Sequence, residues 1–357
     1  MIYTGPDETD QWCGVMHLHS TYSDGQLDMA RIIETAREVD LDFIVMTDHR
    51  TMQAKYDGYE GLFGSCAVCI GYEHNDTNNN NHYLVLGASR VIPTQSPPQA
   101  YIDEAAREGA LGFIAHPWER RNYFKAFRPY PWNDWSVSGF DGIEIWNQMS
   151  NWLEHVRRWY SFVRILFPRR FNTGAPVPLI ALWDALNRRR FVGAVGGVDF
   201  HTRSFHFGSM SYSFFPVKVA LKSIRTHIYV RPEQRGGVFD MRRKNLYERL
   251  RNGSAFISNY RRGDARGSIF LLESADGMWY TPGKHAQRCV LPARFHVWIP
   301  GAATVVLVRN GVAVAMKRGK HVRFDIHMRG VYRIEVRKRR YTWMYTNPFP
   351  VGAYPIA

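Results

Sequence analysis

Residues 15–25 read Val-Met-His-Leu-His-Ser-Thr-Tyr-Ser-Asp-Gly, and the fold turns on how they are understood. An apolar start running into two histidines and then a polar, glycine-ended turn reads as a strand with a ligand-rich end. Residues two apart on a strand face the same way, so the spacing predicts that His17 and His19 reach one point. The same plan recurs downstream. Leu41–Thr47 (LDFIVMT) is an apolar strand ending in Asp48 and His49. Cys66–Gly71 runs into Glu73, the turn Asn78–Asn81 leads through His82 into YLVLG, and GALGFIA ends at His116. Phe140–Trp146 (FDGIEIW) is another strand, and the glycine-rich Phe191–Phe200 delivers Asp199 and His201.

Helical patterns alternate with these strands. Met29, Ile32, Ile33, Ala36 and Val39 recur at helical spacing over 27–39, Ser96 is placed to cap a helix over 99–108, and 179–189 reads as a third. Strand, helix, strand in succession argues for parallel β/α units. Nearly every candidate ligand stands at the C-terminal end of a strand, where the loops of a (β/α) barrel converge on one mouth. The expected fold class is therefore α/β, a barrel-like domain over residues 1–262. Leu246–Arg251, stopped by Gly253, closes it. Short alternating runs follow (SIFLLES, CVLPARFHVWI, TVVLVRNGVAVAM, HVRFDIHM, VYRIEVR), with Asn310-Gly311 as a hairpin turn. They predict a small β-sandwich over 263–357.

The composition suits a folded chain. It has 357 residues, 45% hydrophobic and 22% charged, with no apolar run of the ~18 residues a membrane span needs. Residues 1–12 carry Asp7, Glu8 and Asp10, the wrong chemistry for a signal peptide, so a cytoplasmic location is expected. Four cysteines make no disulfide framework. The formal charge of +14 suggests an acidic or nucleic-acid partner, but it is unevenly spread. Residues 1–119 hold 6 Lys and Arg against 18 Asp and Glu, whereas 231–357 hold 24 against 8. The ligand-rich part is acidic, as a site for several cations would tolerate.

Imidazoles and carboxylates without cysteine suit Zn²⁺, Mn²⁺ or Fe²⁺. Close divalent cations activate water and polarise a phosphoryl or carbonyl oxygen, so a hydrolase follows more firmly than any substrate. No P-loop or dinucleotide fingerprint is present.

In order, MHLHSTYSDG (16–25), VMTDH (45–49), GYEHN (71–75), NNHYLVLG (80–87), IAHP (114–117) and GVDFH (197–201) together resemble the PHP superfamily. This is the polymerase and histidinol phosphatase domain of metal-dependent phosphoesterases, and the likeness spans roughly residues 13–262. Within it the chain looks most like the carbaryl hydrolase-like branch, whose members often add a C-terminal β-sandwich. The resemblance implies a distorted (β/α)7 barrel with two or three metal ions. His17, His19, Glu73 and Asp199 would hold one, Glu73 with His82 and His116 a second, and Asp24, His49 and His201 a third. A metal-bridging hydroxide would be the nucleophile. The expected substrates are phosphodiesters or aryl phosphates. The alternatives are a carbamate, amide or carboxyl-ester hydrolase using the same site, and a nucleic-acid-binding nuclease.

Around the ligands, Asp48 is placed either to orient an imidazole or to cap the turn after its strand. Arg50 and Arg203 are candidates to bind a phosphate oxygen, and His206 to protonate a leaving group. Glu144 reads as structural or as a support to the ligands. Residues 118–135 (WERRNYFKAFRPYPWNDW) are an aromatic, basic insertion expected to form a lid. Cys66 and Cys69 sit in an apolar run and read as core thiols. The basic runs Lys317–Arg323 and Arg337–Arg340 read as a solvated face, with nucleic-acid contact as the alternative.

Overall fold

The computed structural model describes residues 2–3, 9–93, 97–121, 123, 128–156, 166–207 and 210–354, leaving out the side chains of 3, 203–207 and 210–214. The protein is mixed α/β, built on a large mixed sheet that is not closed. The strand–helix rhythm expected of a barrel is therefore present without its closure. The chain gathers into two compact units, Met1–Cys13 with Val177–Val195 and Thr226–Ala357, and Gly14–Pro176 with Gly196–Arg225. Residue 262 lies inside the first of these.

In the unit Gly14–Pro176 with Gly196–Arg225, the strand Asp10–Leu18 contributes its second half. It pairs in parallel with Phe43–Met46, which pairs in parallel with Cys66–Ile70. Tyr72–His74, Tyr83–Leu86 and Leu111–Ile114 follow as antiparallel neighbours, and Gly142–Asn147 runs parallel to the last. Parallel strands need crossovers, and helices supply them. Met29–Glu38 is capped by Asp28, whose side chain accepts from Arg31 N, a device worth about 1 kcal/mol. Ile32, Ile33 and Ala36 form its buried face. The second helix is Pro98–Arg107 with Pro97 at its cap position, and the expected cap Ser96 lies outside the described residues. The third expected helix, Val177–Asn187, belongs to the other unit. Cys66 and Cys69 are buried thiols in no disulfide.

The C-terminal runs are fewer and longer than their sequence suggests. ARFHVWI of the first run and TVVLVR belong to one strand, Ala293–Arg309, which breaks register between Trp298 and Ala303. Its first part lies beside Ile269–Glu273 and its second beside Gly330–Lys338, so the strand turns a corner at the break. Asn310 and Gly311, at φ 51° and 86°, make the predicted hairpin turn to Val312–Ile326. Phe270, Phe295, Val305, Leu307, Ile334, Trp343 and Phe349 fill the core beneath. Gly253, left-handed at φ 70°, ends the helix Phe239–Asn252.

Candidate metal centre

The strand ends deliver nine of the expected ligands to one place. Donor atoms of His17, His19, Glu73 and Asp199 lie within 4.8 Å of one another, as do those of His19, Asp24, His49 and His201, and those of His49, Glu73 and His82. His116 joins through Nε2, 2.9 Å from Glu73 Oε1. The three groups overlap at Glu73, His19 and His49. Glu73 touches His82 Nδ1 at 2.7 Å with one oxygen and His17 and His19 Nε2 at 3.1 Å with the other. The cluster is buried except at Asp24, His49 and His201.

Strand alternation is not what makes His17 and His19 converge. His17 has φ 64°, and the pairing of its strand with Phe43–Met46 shifts register between Met16 and Leu18. The facing strand Gly193–Phe200 shifts between Gly197 and Phe200, with Asp199 at φ 54°. Each strand bulges at its ligand, which re-aims the side chain out of the pleat. His116, at φ 25°, is the third candidate ligand in this sparsely populated region.

Glu144 supports two of the candidate ligands. Its Oε1 lies 3.0 Å from His17 Nδ1, and its Oε2 accepts from His116 N at 2.8 Å and Asn147 Nδ2 at 2.9 Å. The signal in sequence is an acid inside the apolar run FDGIEIW, which buries only with partners. A Cβ at Gly197 would overlap Glu144 Oε1 and approach His17 Cβ to 2.8 Å, so glycine is what admits the carboxylate here.

Asp48 reaches across to the loop after another strand, Asp10–Leu18, rather than capping the turn after its own. It accepts from Ser20 N at 2.7 Å, Ser20 Oγ at 2.8 Å and Ser23 Oγ at 2.7 Å, holding the loop that carries Asp24. Arg50, at φ 51°, donates its backbone N–H to Glu73 O and exposes its side chain. The backbone of Arg203 and His206 lies in the hairpin Arg203–Phe207 with Met210–Phe214, and their side chains are outside the described ones. From the insertion 118–135, Tyr130 lies with its ring centroid 4.9 Å from that of His82, tilted by 31°, while Arg128 lies over Tyr130 and donates to Asn78 O. Tyr130 was not singled out in the sequence. Residues 122 and 124–127 of that insertion lie outside the described residues.

The electrostatics follow from burying acids among imidazoles. Burial opposes charge on His17, but Glu144, Glu73 and Asp199 outweigh it and hold its pKa well above the ordinary value. Burial likewise opposes charge on His116 and His201, and carboxylate partners push them up to about 9 and about 10. Glu73 and Asp199 are held well below the usual carboxylate range, against burial, by the surrounding histidines. Burial pushes His49 down to about 3, with His19 and His82 adding to it.

A divalent cation fits this donor set. His19 Nδ1 and His82 Nε2 are buried without a hydrogen-bond partner, a costly state that ligation relieves. Nitrogen and oxygen donors together suit Zn²⁺, Mn²⁺ or Fe²⁺. No described helix is long and apolar enough to cross a membrane.

No family model matches the sequence, and no curated protein does. Among solved structures, the chain is similar to a two-domain protein of Bacteroides vulgatus ATCC 8482 containing a predicted PHP-like metal-dependent phosphoesterase. The identity is 14% and the TM-score 0.47, over 96% of each chain. It is also similar to PsfC of Pseudomonas syringae PB-5123, at 15% identity and a TM-score of 0.42, over 68% of this chain and 90% of that one.

Proposed function

We propose that the protein is a metal-dependent hydrolase of phosphate esters, phosphodiesters and aryl phosphates foremost, holding two or three divalent ions. In this reading His17, His19, Glu73 and Asp199 hold one ion, Glu73, His82 and His116 a second, and Asp24, His49 and His201 a third. The observation that carries it is that three of these ligands, His17, His116 and Asp199, take left-handed φ values at one buried cluster. Such backbone costs on the order of 1–3 kcal/mol per residue and persists where function selects it.

When bound, the ions supply Lewis-acid polarisation of the ester and a hydroxide from water at neutral pH. The chain's own part is positioning. Glu144 turns the Nε2 of His17 toward the cluster, Asp48 fixes the loop bearing Asp24, and Tyr130 walls the His82 side. The cationic Arg50 follows His49 directly and is placed to meet an anionic substrate, with Arg203 and His206 as further candidates. We read the unit holding the cluster as a distorted (β/α)7 plan. The strands after 262 are read as its accessory β-sandwich, as in the carbaryl hydrolase-like branch.

Metal analysis of the purified chain tests the reading, together with a chromogenic panel of phosphate mono-, di- and triesters, an aryl carbamate and a carboxyl ester under Mn²⁺ and Zn²⁺. Two to three equivalents of metal and turnover of a phosphoester, both lost in Asp199→Ala, are expected. A chain that takes up no divalent ion sinks the proposal, and turnover confined to the carbamate or carboxyl ester replaces its substrate class.

A further inference from the structure

A second constellation lies on the C-terminal strands. Ala293–Arg309 and Val312–Ile326 pair antiparallel with His296 opposite Arg323 and Trp298 opposite His321, and directly opposed residues share one face of a sheet. The rings gather there. His296 and Trp298 stack with centroids 5.5 Å apart at 15°, His321 meets Trp298 edge-on at 6.3 Å, and Trp279 lies 4.8 Å from His296. Beside them is a cleft of about 420 Å³ lined by His296, Trp298, Lys317, Arg318, His321 and Arg323. That volume is within the ~300–1,000 Å³ of small-ligand sites.

Two features say what the cleft takes. First, the strand Val312–Ile326 carries Lys317, Arg318, Lys320 and Arg323 against Asp325 alone, and Asp325 is already bonded to Arg294 at 2.6 Å. Among the described residues Arg318 and Arg323 have no ion pair. Second, the His296 side chain is only 8% exposed and its Nδ1 is buried without a hydrogen-bond partner. Its Nε2 lies 2.7 Å from Glu273 Oε2, so Nε2–H donates there and Nδ1 remains an acceptor. Cations meet a phosphate, and aromatic faces stack on a flat ring. A base-free polyanion would use only the cations.

We propose that this cleft is a binding site for a phosphorylated nucleoside, met free or as one unit of a single strand. It stands apart from the hydrolase reading and does not need it.

The test uses the full chain in EDTA, with fluorescence anisotropy of a labelled oligouridylate across a salt series. Binding is expected with a log–log salt slope of about −2, as for three phosphate contacts at ~0.7 each. Trp298→Ala should weaken it about tenfold, Trp298→Phe should restore most of the loss, and Arg318→Ala with Arg323→Ala should flatten the slope. Competition by uridine monophosphate at comparable concentration assigns the free nucleotide as the source, and competition by the oligomer alone assigns the strand. The proposal is overturned if nothing binds, if duplex binds as well as single strand, or if binding survives Trp298→Ala unchanged while heparin displaces it fully. Because Arg318 is exposed, Arg318→Ala alone keeps the test readable should Trp298→Ala fail to fold.

Discussion

His17 Nδ1 lies 3.0 Å from Glu144 Oε1, a buried carboxylate orienting a buried imidazole whose other nitrogen faces Glu73. An outer carboxylate of this kind sets which imidazole nitrogen is free and raises its basicity as a ligand. Glu144→Gln should therefore weaken metal binding about 10–100-fold while the fold persists. Chelator competition measures it, and unchanged affinity would reject an orienting role for Glu144.

Gly197 is tied to the same pair. A methyl there overlaps Glu144 Oε1 and crowds His17, and overpacking typically costs ~1–3 kcal/mol. Gly197→Ala should lower the melting temperature and bound metal together. A variant that keeps full metal content would mean the neighbours have room to relax.

Asp48 predicts a contrasting outcome. Removing it leaves three donors of the loop 20–23 without their acceptor, at a cost of ~1–3 kcal/mol each where burial is complete. Asp48→Ala should lower thermal stability while the ion at His17, His19, Glu73 and Asp199 is retained. Loss of that ion in a folded variant would move Asp48 into the ligand support.

Glu335 makes a pH prediction away from the metal centre. Burial raises its pKa, but Arg333 at 2.6 Å and Arg337 outweigh burial and hold it below the ordinary value. Its folded pKa therefore lies below the unfolded value of about 4.3. The stability it contributes is present above that value and is lost as pH falls through the folded one. Glu335→Gln should melt lower than the parent at pH 7, with the gap closing on acidification below about pH 4. Arg333 keeps its paired bonds to Asp184 at 2.7 and 2.8 Å, so the variant should still fold. A gap that is the same at pH 7 and pH 3 would assign the effect to packing.

Metal loading supplies a stability readout as well. A ligand that binds only the folded state raises stability by ~2.7 kcal/mol at a hundred times its dissociation constant. Adding Mn²⁺ or Zn²⁺ to stripped protein should raise the melting temperature of the parent, and by less for His17→Ala. An equal rise in both would place the ion elsewhere.

Much of the centre was legible from residue types and their local positions. His17, His19, His49, His116 and His201 stand at strand ends because apolar runs and turn residues mark those ends locally. Gly253 as a stop and Asn310-Gly311 as a turn were legible for the same reason. CVLPARFHVWI and TVVLVRNGVAVAM stand as separate runs in the sequence, whereas the chain carries one strand, Ala293–Arg309, through Pro300 and Gly301 with a shift of register.

By itself the sequence determined which chemistry is available: imidazoles and carboxylates without thiolate, carried at the ends of apolar strands, with positive charge gathered toward the C-terminus. Only the tertiary structure decided how those groups meet. The bulges at His17 and Asp199, the reach of Glu144 past Gly197 and the hold of Asp48 on the loop 20–23 all depend on how strands far apart in sequence are brought together. Periodicity reports which face a residue takes, but a bulge changes that face, and a bulge is set by the neighbouring strand.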